Sequence, residues 1–324
     1  MTAYAFRRAG GALLLVFLVV SLTFFLLHAA PGSPADYLLV QTSAVGQAEA
    51  RARLERALGL DRPLGEQYLD WLGGFARGDL GTSFATGRPV ARMLAEALPQ
   101  TLLLAVAAVF LEILLAVPLA VWAARRRGRA PDQALRVGAL VLYSLPVFWL
   151  SLMAILLFAF RWPLFPAGHL ASPGAAEMAA GERLADLLWH LALPAAVLAL
   201  ASVGGTLRYV RASLGEALDQ DYVRTARAKG LSERRVVYVH GLRNALGPVL
   251  QVFGVSLPAL LNGSLIVEVL FSWPGVGRIA FDAINARDFP VVLGATALSA
   301  VLVVLGNLAA DLLHAAADPR LSRV

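Results

Sequence analysis

The sequence predicts an all-α integral membrane protein with six transmembrane helices, and three observations carry that expectation. Hydrophobic residues fill 58% of the 324 positions, against the roughly 45–50% of an ordinary soluble domain, and the mean hydropathy is +0.67. Nearly uncharged runs of about 20 residues recur along the chain, the length a helix needs to cross the hydrocarbon of a bilayer. Between the runs, arginine collects in alternate connections rather than evenly.

The expected spans are 10–29, 99–123, 137–160, 188–207, 248–270 and 291–313. The first, "GGALLLVFLVVSLTFFLLHAA", has the basic start and small-residue end of a signal peptide. Its apolar stretch exceeds the usual core of about 7–15 residues, and Pro31 and Asp36 follow without a cleavage pattern. It is expected to be a retained span. Prolines at 118, 146, 194 and 258 fall inside spans, where a missing N–H breaks the helical ladder and bends the axis.

Residues 31–99 form the longest connection. Two amphipathic helices fit it: "QAEARARLERALGL", with Leu54, Ala57 and Leu58 on one side, and "LGEQYLDWLGGFARG", whose Tyr68, Trp71, Leu72 and Phe75 form an aromatic face suited to packing. The turn-rich "GDLGTSFATGRPV" follows. A boundary near Leu98 divides the chain into an N-terminal part, 1–98, and a five-span core, 99–324. The connection after the third span, "RWPLFPAGHLASPGAAEMAAGERL", reads as irregular. The last, "FSWPGVGRIAFDAINARDFP", reads as a Trp-Pro-Gly turn, a short amphipathic helix and a second turn.

With the N-terminus in the cytoplasm, the inner segments hold 17 of the 28 Lys and Arg and six of the 22 Asp and Glu. The outer segments hold 11 basic and 13 acidic residues. The positive-inside rule then places both termini in the cytoplasm. The basic pI reports membrane topology, not a nucleic-acid surface, because the charge lies in short juxtamembrane connections without interleaved aromatics. The chain has no cysteine, so it has no disulfide, thiolate metal site or cysteine nucleophile. Its single lysine, Lys229, precedes Gly230 and Leu231, so no G-x-x-x-x-G-K-[ST] phosphate loop exists, and there is no H-E-x-x-H or G-x-S-x-G motif either. The chain is therefore expected to be non-catalytic and to hold no cofactor or metal of its own.

The densest inner charge lies in "DYVRTARAKGLSERRVVYVHGLRNALGPVL", within a connection of residues 219–247. Asp219 and Asp221 suit the positive N-terminal end of a helix. Tyr222, Val223, Ala226 and Lys229 recur along one helical stripe, and Gly230 supplies a left-handed stop. Leu231 and Val236 fit a hydrophobic staple across Ser232, the N-cap of a second helix that carries Arg234, Arg235 and Arg243. Clustered basic residues attract anionic headgroups, but turn chemistry this defined favours a rigid docking element for a cytoplasmic partner.

That passage resembles the cytoplasmic EAA loop of binding-protein-dependent ABC importer permeases, the type I importer family. Arg224-Thr225-Ala226 stands in the Glu-Ala-Ala place, Gly230 in that of the glycine, and His240-Gly241-Leu242-Arg243 at the end. Ala226, Gly230 and Leu242 match the general pattern, and "YVRTARAKGL" is similar to the dipeptide/oligopeptide/nickel branch. "LGLDRPLGEQYLDWLGGFARGDLGTSF" resembles that branch's outer loop, and "GSLIVEVLFSWPGVGR" with "ARDFPVV" resembles its first, B-type permease. Gly241 departs from the alanine often found there, and is expected to loosen the second helix slightly.

The resemblance implies a permease in the inner membrane of a prokaryote, paired with a second homologous permease. It implies two cytoplasmic ATPase subunits that carry ATP and Mg, and an extracytoplasmic binding protein that delivers di- or oligopeptides, a nickel chelate or glutathione. Tyr222, Arg224, Thr225, Ala226, Lys229 and Gly230 are the expected ATPase-docking residues. Polar groups inside spans are costly and face a bundle interior or wet cavity, so Glu112, Asn262, Asn307 and Asp311 are the expected pathway residues. Glu268 is expected to be solvated or paired with Arg278, and His190 and His314 to be interfacial. The rival reading is a self-sufficient secondary transporter or channel, which calls for broken helices in paired halves.

Overall fold

A computed structural model describes residues 2–39, 47–245 and 264–317, and every element among them is helical apart from an isolated bridge between Thr82 and Pro89. Two compact units divide the chain: Met1–Thr101 with Pro274–Val304, and Leu102–Trp273 with Leu305–Val324. Among the described residues, three helices are long and apolar enough to cross a membrane: Val90–Ala124, Ala180–Leu218 and a stretch of the last helix, Phe289–Leu308. A fourth candidate is a bent pair, and Leu13–Ala29 is a shorter apolar stretch. Most of the expected fifth span, with Pro258 and Asn262, lies outside the described residues.

In the first unit, α1 (Thr2–Ala29) presents two unlike faces. Val16, Val20 and Phe24 recur every four residues and are buried, whereas Leu14, Leu18, Leu22 and Leu26 are exposed. α2 (Pro34–Leu39) is a short helix, and both helices expected in the long connection form, as α3 (Gln47–Ala57) and α4 (Leu64–Ala76). The aromatic face of α4 packs on α1: Trp71 lies 5.5 Å from Phe24 between ring centres, and the Tyr68 and Ser21 hydroxyls are 2.8 Å apart. The glycine-rich turn at 78–89 joins α4 to α5 (Val90–Ala124), which runs without interruption across Leu98. Helix α11 (Val276–Asn285) follows the Trp-Pro-Gly turn, as its amphipathic pattern predicts, and α12 (Phe289–Ala317) follows it. At the corner between them, buried Asp288 accepts hydrogen bonds from Ser83 Oγ at 2.5 Å, Phe84 N at 3.0 Å and Ala85 N at 3.2 Å. Arg287 beside it donates to the Pro31 carbonyl. One corner therefore pins the glycine-rich turn and the segment after α1.

In the second unit, the third expected span breaks in two. α6 (Ala130–Ser144) and the run formed by α7 (Val147–Ile155) with the π-helical turn Leu156–Arg161 are bent by 95°. The cause is Pro146, which lacks an N–H and drives the residue before it out of helical backbone; Leu145 has ψ 129°. α8 (Ala180–Leu218) instead runs through the buried Pro194 for 39 residues, about 58 Å at 1.5 Å per residue. That length exceeds a hydrocarbon core of about 30 Å. α8 meets α6 most closely at Gly204, where a Cβ would stand 2.3 Å from the Ala139 carbonyl oxygen.

The irregular stretch before α8 is anchored to it by Asp186, which accepts from Ser172 N at 2.9 Å and Ser172 Oγ at 2.6 Å. His190, expected at the interface, is instead buried, with Nδ1 2.9 Å from the Asp186 carbonyl oxygen. Glu268, expected to be solvated or paired with Arg278, is fully buried rather than solvated.

Candidate functional site

The densely charged passage folds into a compact knob at the end of α8. After Asp219 the chain turns and starts α9 (Asp221–Ala228), whose first residue pairs with Arg224 at 3.2 Å. Gly230 has φ 74° and closes the helix with a double hydrogen-bond pattern. Its N–H reaches the Arg227 carbonyl at 2.9 Å, and the Leu231 N–H reaches the Ala226 carbonyl at 3.3 Å. This is the Schellman stop, with Leu231 folded back on Ala226. The next helix, α10 (Glu233–Arg235), starts after Ser232 and passes directly into a π-helical segment, Val236–Leu242.

One small apolar nucleus holds the knob: Val223, Ala226 and Val236 are buried, with Leu218 and Leu231 at its margin. Leu231 and Val236 thus meet as the staple pattern predicts. On the flank, Arg227 donates to Glu233 at 2.9 and 3.2 Å, binding α9 to α10. The guanidinium holds the Glu233 carboxyl below its ordinary range.

The docking residues named from sequence separate into two groups. Tyr222, Arg224, Thr225 and Lys229 are exposed and share the outer side of α9, while Ala226 is buried inside the knob. Sequence spacing set Ala226 on one stripe with Tyr222 and Lys229, about 40–60° from each at 100° per residue. The buried sector centres between Val223 and Ala226, so that stripe straddles the boundary between inside and outside.

The knob's root is tied down by pairings that the sequence reading did not single out. Asp132, almost wholly buried, takes a bidentate bond from Arg211 of α8 at 2.5 and 2.6 Å and also accepts the Gly128 N–H at 3.0 Å. Arg127 reaches Asp219 at 2.7 Å across exposed surface. A sequence signal existed: Asp132 is the one acid among the five arginines of 125–136. Gly241, expected to loosen the second helix, lets it approach instead. A Cβ there would lie 2.8 Å from Leu218 Cδ2 and 3.0 Å from Leu214 Cδ1.

Of the pathway candidates, Glu112 is fully buried on α5, and Thr206 of α8 donates its hydroxyl to Oε1 at 2.5 Å. Glu112 Oε2 is buried and has no hydrogen-bond partner among the described residues. Asn307 sits on the exposed side of α12. Asn262, and the side chains of Asp311 and His314, lie outside the described residues.

Comparison with known proteins places this architecture. Residues 116–323 match the binding-protein-dependent transport system inner membrane component, and residues 1–105 match the N-terminal membrane component of such systems. The chain is 39% identical over 322 residues to the oligopeptide transport system permease protein AppB of Bacillus subtilis. It is 40% identical over 334 residues to the di/tripeptide transport system permease protein DppB of Pseudomonas aeruginosa. It is 36% identical over 337 residues to the dipeptide transport system permease protein DppB of Escherichia coli K12. Each alignment covers 99% of both chains. The chain therefore belongs to the family of inner-membrane permease components of binding-protein-dependent transport systems.

Proposed function

We propose that this permease passes di- or oligopeptides inward across the membrane, as the B-type member of a permease pair. In this reading both termini are cytoplasmic, and residues 31–99 face the binding protein that delivers cargo. Two ATPase subunits bind ATP and Mg, and one of them receives α9. The observation that carries the reading is the division within α9. Val223 and Ala226 build the knob, while Tyr222, Arg224, Thr225 and Lys229 stand outward on a rigid stub at the end of a membrane helix. The names of the three relatives support a peptide cargo.

The geometry supplies a route for coupling. A push on α9 is transmitted through Leu218 to α8, and Arg211–Asp132 links α8 to the start of α6. Glu112–Thr206 joins α8 to α5, so two neighbouring helices follow α8 when it tilts. Coupling requires one element whose two positions both sites bias, and α8 fills that role. Glu112 is the proposed pathway group, because its second oxygen is left for a partner beyond the described contacts.

The test is purification with the co-encoded subunits. The wild type should retain an ATPase pair, and Arg224→Ala with Thr225→Ala should lose it while still inserting in membranes. Peptide uptake by this chain alone in liposomes would replace the proposal with self-sufficient transport.

A further inference from the structure

Beside the knob's root, α6 and α8 line two adjoining open hollows of about 540 and 470 Å³ that share Arg136 and Arg208. Asp132, the acid nearest Arg136 in sequence, is already engaged by Arg211. Among the described residues, Arg136 and Arg208 form no hydrogen bond or ion pair, and both are exposed. Both guanidiniums line one groove, and the Asp132 carboxylate within electrostatic reach of Arg136 is already held by Arg211.

Polarity changes along the groove in one direction on both walls. On α6, Gln133 and Arg136 give way to Val137 and Leu140, all exposed. On the antiparallel α8, Arg208 gives way to Gly205. Tyr143 and Tyr209 line the second hollow. From Arg136 to Leu140 the step from charge to hydrocarbon takes about 6 Å, four residues at 1.5 Å each. This is the order of a phospholipid, phosphate first and acyl chain next. Paired arginines bind phosphate by planar forks, and basic pockets between membrane helices on the cytoplasmic side recognise anionic headgroups.

We propose that this groove is a binding site for one anionic phospholipid, with Arg136 and Arg208 on the phosphate and Val137 and Leu140 along the acyl chain. The site rests on the membrane placement proposed above, not on the cargo or on ATP. It is tested with the full chain purified together with its transporter partners, by titrating dioleoylphosphatidylglycerol or dioleoylphosphatidylcholine and counting retained lipid by native mass spectrometry. The wild type should retain the anionic lipid in preference. Arg136→Gln with Arg208→Gln should lower that retention about tenfold or more, and the paired lysine variant should recover part of it. The control pair Arg234→Gln with Arg235→Gln removes equal charge elsewhere and should leave retention unchanged. Equal retention by wild type and the Arg136/Arg208 pair, or an equal loss in the control pair, overturns the site. Displacement of the lipid by millimolar inorganic phosphate, or a crosslink from Leu140→Cys to a second transporter chain in place of lipid, overturns the assignment of a lipid as occupant. Because retention is read without ATP or peptide, its failure is distinct from a failure of transport.

Discussion

Gly230 has open space around it, since a Cβ there would meet nothing within 4 Å. Its φ of 74° is therefore the whole constraint. A β-branched side chain in that region costs roughly 1–2 kcal/mol, so Gly230→Val should unwind the stop of α9 without any clash, whereas Gly230→Asn should be tolerated. Ala226→Asp acts differently, because it places an unpaired carboxylate among Val223, Val236 and Leu231. Breaking the nucleus in that way costs about 3 kcal/mol or more. Both should release the ATPases while membrane insertion persists, and Arg234→Gln should not; ATPase co-purification from each variant reads the order, and a harmless Gly230→Val beside a damaging Arg234→Gln refutes it. At Glu112 the expectation is a change in uptake or cargo preference in Glu112→Gln, with assembly retained, because the amide still accepts from Thr206. Complete loss of assembled protein in that variant would assign Glu112 a structural role alone.

Among the elements, α6 and α8 give the most pointed test. Gly204→Ala drives a methyl into the Ala139 carbonyl, and backbone cannot step aside as a side-chain tip can. Overpacking of this kind costs about 1–3 kcal/mol, so the thermal midpoint in detergent should fall. Gly205→Ala, whose nearest neighbour would be Tyr143 Cε2 at 3.5 Å, should be close to neutral. Equal midpoints for the two variants would show that the contact at Gly204 is not tight. Much of this level was readable from sequence because it depends on neighbours a few residues apart. The stop at Gly230, the staple of Leu231 on Val236 and the two helices of the long connection are all local. Partners chosen across the fold were not readable. Asp132 meets Arg211 from 79 residues away and Ser83 meets Asp288 from 205, and no periodicity encodes such pairs. Pro146 and Pro194 show the same limit: one breaks its helix and the other is carried through, and packing decides which.

For the whole molecule, the absence of native cysteine makes topology directly measurable. Single cysteines at Arg127 and Arg234 should be shielded from an impermeant thiol reagent in right-side-out vesicles, and one at Ala48 should react. Labelling of Arg234→Cys from outside would overturn the proposed orientation. The knob also has a consequence for how such a machine changes over generations. Its buried foundation is Val223, Ala226 and Val236, all drawn from one stretch of fourteen residues, and none of the exposed side chains of α9 belongs to it. The outward letters at 222, 224, 225 and 229 are thus free to be rewritten without disturbing the scaffold beneath them. Under the proposed docking, a lineage that duplicates this transporter can give each copy its own motor by altering those few positions, as a key is recut on the same blank.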